Sequence, residues 1–323
     1  MNWITRWEKI GIKVKQIFKK QPKQNESTDW KNCPQCKKIS YKPDLFNNAY
    51  ICECSFHFDL PPKLRLDSLF DSDYEMIEPS NNINADPLNF VVKDGAREGY
   101  MYINKIKNYR KITGQQTALI CASGKISNLN AVVVCFNPKF GAGRFGPAEN
   151  EHFLKAANFA VENKVDVWIV VYQSSGIDVH TGVTGLAGMT KSVIAMNEIK
   201  KNNIPTFCVA ARATAGGTYA SSFFMHDFII IESKCVENLL FSGKRVTANI
   251  LKGTDQIPSD FGTASGIMKS GLADITLENR KELKETISKL ANIILKKEKL
   301  NTTNIDEVHE DPRDFEKTAS SSS

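Results

Sequence analysis

Four clustered cysteines have the spacing of a metal site. Cys33 and Cys36 are separated by two residues in the segment NCPQCK, and Cys52 and Cys54 follow as a second close pair. Two close cysteine pairs about 15–20 residues apart are typical of a structural zinc ribbon, in which four thiolates complete a tetrahedral shell. Because a single residue separates the second pair, His57 is an alternative fourth ligand to Cys54. The pattern predicts a closed structural zinc site, and a degenerate ribbon of free thiols is the alternative.

Three glycine-bearing loops each follow an apolar segment and precede a helical one. These loops contain Gly141, Gly143 and Gly146, then Ser175 and Gly176, then Gly216 and Gly217. Glycine lets the backbone approach a ligand closely, and the start of a helix offers unpaired N–H groups that can stabilise charge developing on a carbonyl oxygen. The pattern leaves two interpretations open, oxyanion binding and tight packing of the loops.

Signals for other chemistry are weaker. The segment GAGRFG fits the dinucleotide pattern Gly-x-Gly-x-x-Gly, but no acidic residue closes a clear β-α-β unit about 20 residues later. A Gly-Lys-Ser/Thr phosphate loop is absent, SSG is not a nucleophile elbow, and the five histidines lack metal-binding spacing. None of these patterns therefore identifies a nucleotide site, a nucleophilic triad or a histidine metal site.

Alternating apolar runs and helical patterns must position these loops. The segments TALICASG and LNAVVVCFN predict two strands joined by the turn KISN, and VDVWIVVY and IPTFCVA predict two more. A helix of about Gly182 to Lys201 lies between the last two, and further helices are expected near 245–251, 260–270 and 278–297. This alternation predicts an α/β core.

Composition divides the 323-residue chain into five parts. The expected parts are a basic N-terminal helix and linker at 1–29, a zinc-ribbon module at 30–60, an irregular connector at 61–96, an α/β domain at 97–299 and a disordered tail at 300–323.

The excess positive charge is confined to the start of the chain. Residues 1–70 carry 13 Lys/Arg and 7 Asp/Glu, whereas the remainder carries 29 of each. This imbalance favours an anionic partner such as nucleotide phosphates, nucleic acid or an acidic protein surface, and a solvated lysine-rich face is the alternative. Without an apolar run of about 20 residues or a secretory signal pattern, a cytoplasmic location is expected.

In order along residues 1–277, the motifs resemble the carboxyltransferase β subunit of multi-subunit bacterial and plastid acetyl-CoA carboxylase. The start MNWI, the ribbon segment WKNCPQC and ADPLNF are similar to segments of that family. FGAGRFG lies where the family has Phe-Met-Gly-Gly-Ser-Met-Gly, and SSGIDVHTG resembles Ser-Gly-Gly-Ala-Arg-Met-Gln-Glu-Gly. RATAGGTYAS resembles Asp-Pro-Thr-Thr-Gly-Gly-Val-Thr-Ala-Ser, and FSGKRV resembles Phe-Ala-Gly-Pro-Arg-Val.

This resemblance implies a crotonase-like (ClpP/crotonase) α/β fold with a small N-terminal zinc ribbon of the four-cysteine type. It implies transfer of a carboxyl group from carboxybiotin, on a carrier protein, to acetyl-CoA, giving malonyl-CoA for fatty-acid synthesis. The implied partners are an α subunit in an α2β2 assembly, the biotin carboxyl carrier protein and biotin carboxylase, in the cytoplasm or the plastid stroma.

The resemblance also suggests roles for individual residues. The implied backbone oxyanion donors are Gly176, Gly216 and Gly217. The residues implied to bind substrate are Gly141, Gly143, Gly146, Ser175 and Arg245, the last through the phosphates of CoA.

Several positions depart from the family pattern. Ser175 replaces the first glycine of a Gly-Gly pair, Asp178 stands in place of Arg, and Thr181 in place of Glu. Arg212 and Ala213 replace Asp-Pro before Gly216. These departures leave open a specialised paralogue that carboxylates or decarboxylates another acyl thioester. A non-catalytic assembly subunit that keeps the fold and the ribbon is a further alternative, and the basic N-terminal segment alone suggests a nucleic-acid-binding zinc module.

Overall fold

The computed structural model describes residues 29–93, 99–234, 238–251 and 257–303, without the side chains of 244–245 and 296–303. The chain divides into two compact units, Met1–Phe58 and Asp59–Ser323. The basic helix expected within residues 1–29 lies outside the described residues, apart from residue 29, and so do residues 304–323 of the expected tail. The five domain boundaries stay predictions.

The smaller unit is built around two short strands and one helical turn. β1 (Trp30–Asn32) pairs antiparallel with β2 (Ile39–Tyr41), and α1 (Lys42–Asn47) follows directly. Its buried cluster consists of Cys33, Leu45, Cys52 and Phe58. Residues 29–58 bury few apolar side chains and so provide little hydrophobic stabilisation, which is typical of small modules held together by a metal.

The larger unit contains the remaining elements. Its strands are β3 (Glu75–Met76), β4 (Val91–Val92), β5 (Tyr100–Met101), β6 (Leu119–Ile126), β7 (Leu129–Phe136), β8 (Arg144–Phe145), β9 (Val167–Ser174), β10 (Gly176–Ile177), β11 (Thr206–Ala215), β12 (Phe228–Glu232), β13 (Leu239–Leu240) and β14 (Ile275–Leu277). Its α-helices are α2 (Pro62–Leu69), α3 (Tyr102–Thr113), α4 (Pro147–Glu162), α5 (Gly182–Lys201), α6 (Gly216–Ala220), α7 (Lys244–Ile250), α8 (Ala264–Lys269) and α9 (Leu283–Thr303).

A mixed eight-stranded sheet forms the core of this unit, in the order β14-β12-β11-β9-β7-β6-β3, with β13 also pairing with β11. The neighbouring pairs from β7 to β14 are parallel, whereas β6 is antiparallel to both β7 and β3. Every residue of β9 is buried. This burial explains its nearly continuous apolar sequence, since parallel strands are covered on both faces.

Helices cover both faces of the sheet. On one face, Phe153 of α4 belongs to the same buried cluster as Trp168 of β9, and α5 contributes to that cluster as well. On the other face, Leu66 of α2 and Ile287 of α9 cluster with Ile169, the next residue of β9. Successive β9 side chains therefore serve opposite layers, as the two-residue period of a strand requires.

The prediction of an α/β core is confirmed, but the prediction of an irregular connector at 61–96 is wrong. That segment contains the buried helix α2 and supplies β3 to the edge of the sheet. Likewise, the last helix continues to Thr303, so the first residues of the expected tail are helical. The sequence pattern does not predict α2, because the segment contains two prolines and several charged residues. One of those charged residues, Arg65, is buried by contacts with residues far away in the sequence.

A buried network of ion pairs connects helix α2 with the end of strand β12. The Arg65 guanidinium of α2 makes a two-pronged contact with the Glu232 carboxylate at the end of β12, with one Nη2–Oε2 distance of 2.9 Å. Arg280 Nε lies 3.4 Å from Glu232 Oε2. All three side chains are at most 3% exposed. The network therefore joins segments more than 160 residues apart in the sequence.

Replacing the shared carboxylate should destabilise the larger unit. Glu232→Gln removes the carboxylate charge that two buried guanidinium groups share, and we expect a loss of about 3–5 kcal/mol in the free energy of unfolding. Urea denaturation measures this loss. As a control, Glu285→Gln removes an exposed i,i+4 pair with Lys289, so it should cost about 1 kcal/mol or less. Equal effects of the two substitutions would contradict the prediction.

Candidate active site

In the smaller unit the four ribbon cysteines converge. The Sγ atoms of Cys33 and Cys54 lie 3.6 Å apart, those of Cys36 and Cys52 lie 3.7 Å apart, and all four lie within 4.8 Å of one another. Thiolates placed about 2.3 Å from a tetrahedral zinc ion are separated by about 3.8 Å, so the sulfur arrangement fits zinc. His57 is not a member of this group, which places Cys54 rather than His57 in the fourth position.

Contacts between the thiols make their pKa values unequal. Burial acts to raise the pKa of Cys33, but the N–H groups of Cys36 and Gln35 and the neighbouring thiols lower it to about 7. The Phe56 backbone acts to lower the pKa of Cys54, but burial and the other three thiols raise it to about 12. Cys33 therefore loses its proton at a lower pH than Cys54 does, and binding of a metal ion would have to displace the protons that remain on the cluster.

In the larger unit, the three glycine loops meet where β7, β9 and β11 end. β8, in the first loop, pairs in parallel with β10, in the second, with Arg144 opposite Gly176. A Cβ on Gly176 would lie 2.8 Å from the carbonyl oxygen of Ala215, the residue immediately before α6. Since only a residue without a side chain fits there, the second loop lies directly against the third.

The first loop uses its glycines mainly for packing. Gly143 has φ +67°, and a Cβ at this position would lie 2.0 Å from the Gln173 carbonyl oxygen. Its N–H donates to the Phe140 carbonyl, and the Gly146 N–H donates to the Glu149 carboxylate that caps α4. For Gly143 and Gly146, the structure thus favours tight packing, the alternative that the sequence leaves open. Gly141 is half-buried, also at positive φ.

Two of the three expected oxyanion donors are engaged within the protein. The Gly176 N–H donates to Ser174 Oγ at 3.1 Å, and the Gly216 N–H donates to the Phe241 carbonyl at 3.0 Å. The expectation that both amides are free for a ligand is therefore corrected, because the loops use them to hold one another. Gly217 differs: it lies in the first turn of α6, where a helix leaves its N–H groups without an intrahelical acceptor.

The other two expected substrate contacts lie in different surroundings. Ser175 is exposed, and its N–H donates to the Ala142 carbonyl at 2.9 Å. The backbone of Arg245 is part of α7, but its side chain lies outside the described residues.

A buried cluster of charged and polar groups lies directly behind the first two loops. Arg144 Nη2 is 2.7 Å from Asp178 Oδ2 and 3.5 Å from Glu149 Oε2. The Tyr102 hydroxyl donates to Asp178 Oδ2 at 2.8 Å, and His180 Nδ1 lies 2.9 Å from Asp178 Oδ1. The His180 ring also stacks on Tyr102, with centroids 4.2 Å apart. The titratable side chains of this cluster are thus paired with one another.

The environment fixes the protonation of Arg144 and Tyr102 in this cluster. Burial acts to lower the pKa of Arg144, but the carboxylates of Glu149 and Asp178 raise it, so the guanidinium stays charged. Burial raises the pKa of Tyr102, so its hydroxyl stays protonated and remains a donor. Sequence reasoning noted Asp178 as a departure but missed Arg144. The signal was available, since an arginine inside a loop of small and aromatic residues requires a counter-charge.

Comparison with known proteins identifies the family. Residues 95–322 match the family model described as the carboxyl transferase domain. The acetyl-coenzyme A carboxylase carboxyl transferase subunit beta of Pelagibacter ubique is 31% identical over 99% of this chain and 100% of its own length. The chain belongs to this carboxyltransferase β-subunit family. The subunit of the same name from Hirschia baltica is 30% identical over 87% of this chain and 76% of its own length.

Solved structures place the fold of this β-subunit family member among crotonase-like carboxyltransferases. Transcarboxylase 12S superimposes with a TM-score of 0.55 at 18% identity, covering 72% of this chain and 41% of that one. A Pseudomonas malonate decarboxylase hetero-tetramer superimposes with a TM-score of 0.53 at 16% identity, covering 77% and 91%. The crotonase-like core predicted from the resemblance is confirmed. Among the described helices of the β subunit, none is long and apolar enough to cross a membrane.

Adding a methyl group at Gly143 should disrupt the loop contacts. Gly143→Ala places a Cβ against the Gln173 backbone, which cannot move aside as a side chain can, and we expect a loss above about 4 kcal/mol in the free energy of unfolding. Gly114→Ala is the matched control, since its φ is also positive, +71°, but its Cβ meets nothing within 4 Å. It should cost about 1–2 kcal/mol. Urea denaturation of both variants measures the difference in the free energy of unfolding. Similar losses in the two variants would show that the Gln173 backbone leaves room for a Cβ at position 143.

Metal analysis tests the sulfur cluster. The purified protein should contain about one zinc ion per chain, and Cys36→Ala should remove it because three thiolates no longer complete the tetrahedral shell. The control is Cys208→Ala, which alters a buried thiol of the sheet core and should leave the zinc content unchanged. A folded wild-type protein without metal would refute the assignment.

Proposed function

We propose that this chain is the β subunit of an acetyl-CoA carboxylase carboxyltransferase, which transfers a carboxyl group from carboxybiotin to acetyl-CoA and forms malonyl-CoA for fatty-acid synthesis. The family assignment and the convergence of the three glycine loops support this function. The structural observation that supports the proposal most directly is the position of the Gly217 amide. It lies at the start of α6, beside the loop containing Gly176.

In the proposed mechanism, Gly217 is the main oxyanion donor of this subunit. A thioester carbonyl oxygen gains negative charge when the neighbouring carbon loses a proton, and a fixed N–H group stabilises that charge without rearrangement. Gly176 and Gly216 act differently from the initial expectation. Through their bonds to Ser174 Oγ and to the Phe241 carbonyl, they hold the loops so that the Gly217 N–H is correctly placed.

The base in this reaction does not have to come from the β subunit. Carboxybiotin supplies the carboxyl group and, once that group is released, the base that takes the proton from acetyl-CoA. Around the loops, Arg144, Asp178, Glu149 and His180 are committed to mutual pairs. The task left to this chain is to position the substrate and to stabilise its oxyanion, which matches a site made of backbone amides.

Some of the proposed substrate contacts lie where the first two glycine loops meet. Exposed Ser175 and half-buried Gly141 lie on the two loops that meet there. Arg245 and the basic segment at the start of the chain are proposed to contact the CoA phosphates, since guanidinium groups bind phosphate through paired hydrogen bonds. The zinc held by Cys33, Cys36, Cys52 and Cys54 is proposed to be structural, since four thiolates leave no open coordination position.

An α subunit is proposed to complete the site, within an α2β2 assembly served by the biotin carboxyl carrier protein and biotin carboxylase. An apolar strip beside the second loop supports a partner at this position. Val179, Val183 and Leu186 are 81%, 72% and 56% exposed and lie three to four residues apart. A relative from Natranaerobius thermophilus named for subunits beta/alpha is 29% identical over 82% of this chain and 41% of its own length. The cytoplasmic or plastid location stays a prediction.

Reconstitution tests the function directly. The chain is co-expressed with its α partner and supplied with carboxylated carrier protein, and malonyl-CoA formation from acetyl-CoA is followed. We expect turnover that requires both subunits. Turnover on another acyl thioester but not on acetyl-CoA would favour the specialised paralogue. An absence of turnover and of CoA binding would favour a non-catalytic assembly subunit.

Two substitutions at one position test the donor. Gly217→Pro removes the N–H group, whereas Gly217→Ala keeps it; both add a Cβ that would lie 2.3 Å from Ile177 Cγ1, so the alanine variant is the control for this steric cost. If the amide stabilises the oxyanion, the proline variant should lose about 10²–10³-fold in kcat relative to the alanine variant. Equal rates in two folded variants would exclude Gly217 as the donor.

A further inference from the structure

The Arg144–Asp178 pair links the first two glycine loops from behind. Arg144 is in β8 of the first loop, and Asp178 follows β10 of the second. Their closest atoms are 2.7 Å apart, and the two side chains are only 4% and 3% exposed. They belong to different segments of the chain, and among the described residues this is the ion pair that connects the two loops.

Backbone hydrogen bonds beside the ion pair also connect the second loop to the first. The Ser175 N–H donates to the Ala142 carbonyl at 2.9 Å, and the Asp178 N–H donates to the Phe145 carbonyl at 3.1 Å. These two hydrogen bonds lie on either side of the paired strands β8 and β10. Together the strands and the bonds form the line of contact between the first and second loops, here called the seam. A shift of Asp178 away from Arg144 would therefore open this seam.

The seam also determines the position of the third loop. Ile177 lies between Gly176 and Asp178, and its side chain reaches over Gly217, where an added Cβ would lie 2.3 Å from Ile177 Cγ1. Gly176 lies against Ala215 and Gly216 on its other side. The Gly217 amide is therefore two contacts away from the ion pair, through Ile177 or through the backbone of Gly176.

We propose that the Arg144–Asp178 ion pair is a positioning element of the active site, which holds the second glycine loop against the first and thereby places the Gly217 N–H for the oxyanion. The role rests on the proposed carboxyltransferase function, but the seam itself does not. Tyr102 and His180 orient the Asp178 carboxylate, each through a hydrogen bond to a different oxygen. Glu149, on the helix that follows the first loop, has its Oε2 atom 3.5 Å from Arg144 Nη2 and adds a second negative charge beside the guanidinium.

A purely structural ion pair is the competing explanation, and neutral substitutions separate the two. Asp178→Asn alone leaves a buried guanidinium, and Arg144→Met alone leaves a buried carboxylate, so each single variant loses stability. The double variant Arg144→Met/Asp178→Asn removes both charges at similar volume, and such exchanges are often neutral for folding. The Glu149 carboxylate, which also faces Arg144, keeps its hydrogen bonds from the Ala118 and Gly146 N–H groups in this variant. Glu151→Gln/Lys191→Met makes equivalent changes in a partly exposed pair on α4 and α5 and serves as the control.

Kinetics of the reconstituted complex provide the first readout. The double variant should unfold at a urea concentration close to wild type, yet lose roughly 10- to 100-fold in kcat with KM for acetyl-CoA within about twofold. The control pair should change neither constant. Arg144→Lys, which keeps the charge, should retain most of kcat. If the double variant fails to fold, the comparison of Arg144→Lys with Arg144→Met tests the proposal instead. Wild-type kcat in the folded double variant, or loss of kcat in Arg144→Lys equal to that in Arg144→Met, would overturn the proposal.

Hydrogen exchange of the full chain provides a readout that does not depend on activity. In the double variant the amides of residues 175 and 178 should exchange at least about tenfold faster, while those of the core strand β9 stay unchanged. Unchanged exchange at the seam would overturn the proposal. If the wild-type complex gives no malonyl-CoA, the proposed function fails, and the exchange result alone decides whether the pair positions the loops.

Discussion

The site depends on backbone segments that approach each other too closely for any side chain to lie between them. A Cβ on Gly143 would be 2.0 Å from the Gln173 carbonyl, and one on Gly176 would be 2.8 Å from the Ala215 carbonyl. Loops at this separation fix one another, because moving one of them breaks hydrogen bonds of the next. The ends of three neighbouring strands thus act as one unit, and the amide at Gly217 takes its position from all three.

Much of the fold is predictable from the sequence because its strands are local and apolar. The runs in β6, β7 and β9 and the long helix α5 have patterns that burial explains without knowledge of partners. Helix α2 escapes such a prediction because Arg65 within it is buried in an ion pair with Glu232, which follows more than 160 residues later. The site is predictable at the level of its loops but not of its amides. Whether an N–H is free depends on distant acceptors, such as the Phe241 carbonyl that takes the Gly216 N–H.

Two departures from the family pattern become intelligible together. The loop Phe140–Gly146 aligns with Phe-Met-Gly-Gly-Ser-Met-Gly, so Arg144 stands where that pattern has serine, and Asp178 stands where the second pattern has arginine. Considered separately, each introduces a charge into a loop at the active site. In the structure the charges meet at 2.7 Å, in a region where either one alone would be costly. Within this chain the two charges therefore offset one another.

The replacement of glycine by Ser175 does not by itself indicate a lost activity. Ser175 is not among the described residues with positive φ, so its backbone conformation is open to any residue, and its side chain is exposed. The strained position is the next one, with φ +102°, and there the chain retains glycine at Gly176. In the Gly216–Gly217 pair, Gly216 has φ +60° and Gly217 lies under Ile177, so both members have a reason to remain glycine. In these two loops, glycine is thus retained where the geometry requires it, and the one replaced glycine, at Ser175, stands where the backbone tolerates a side chain.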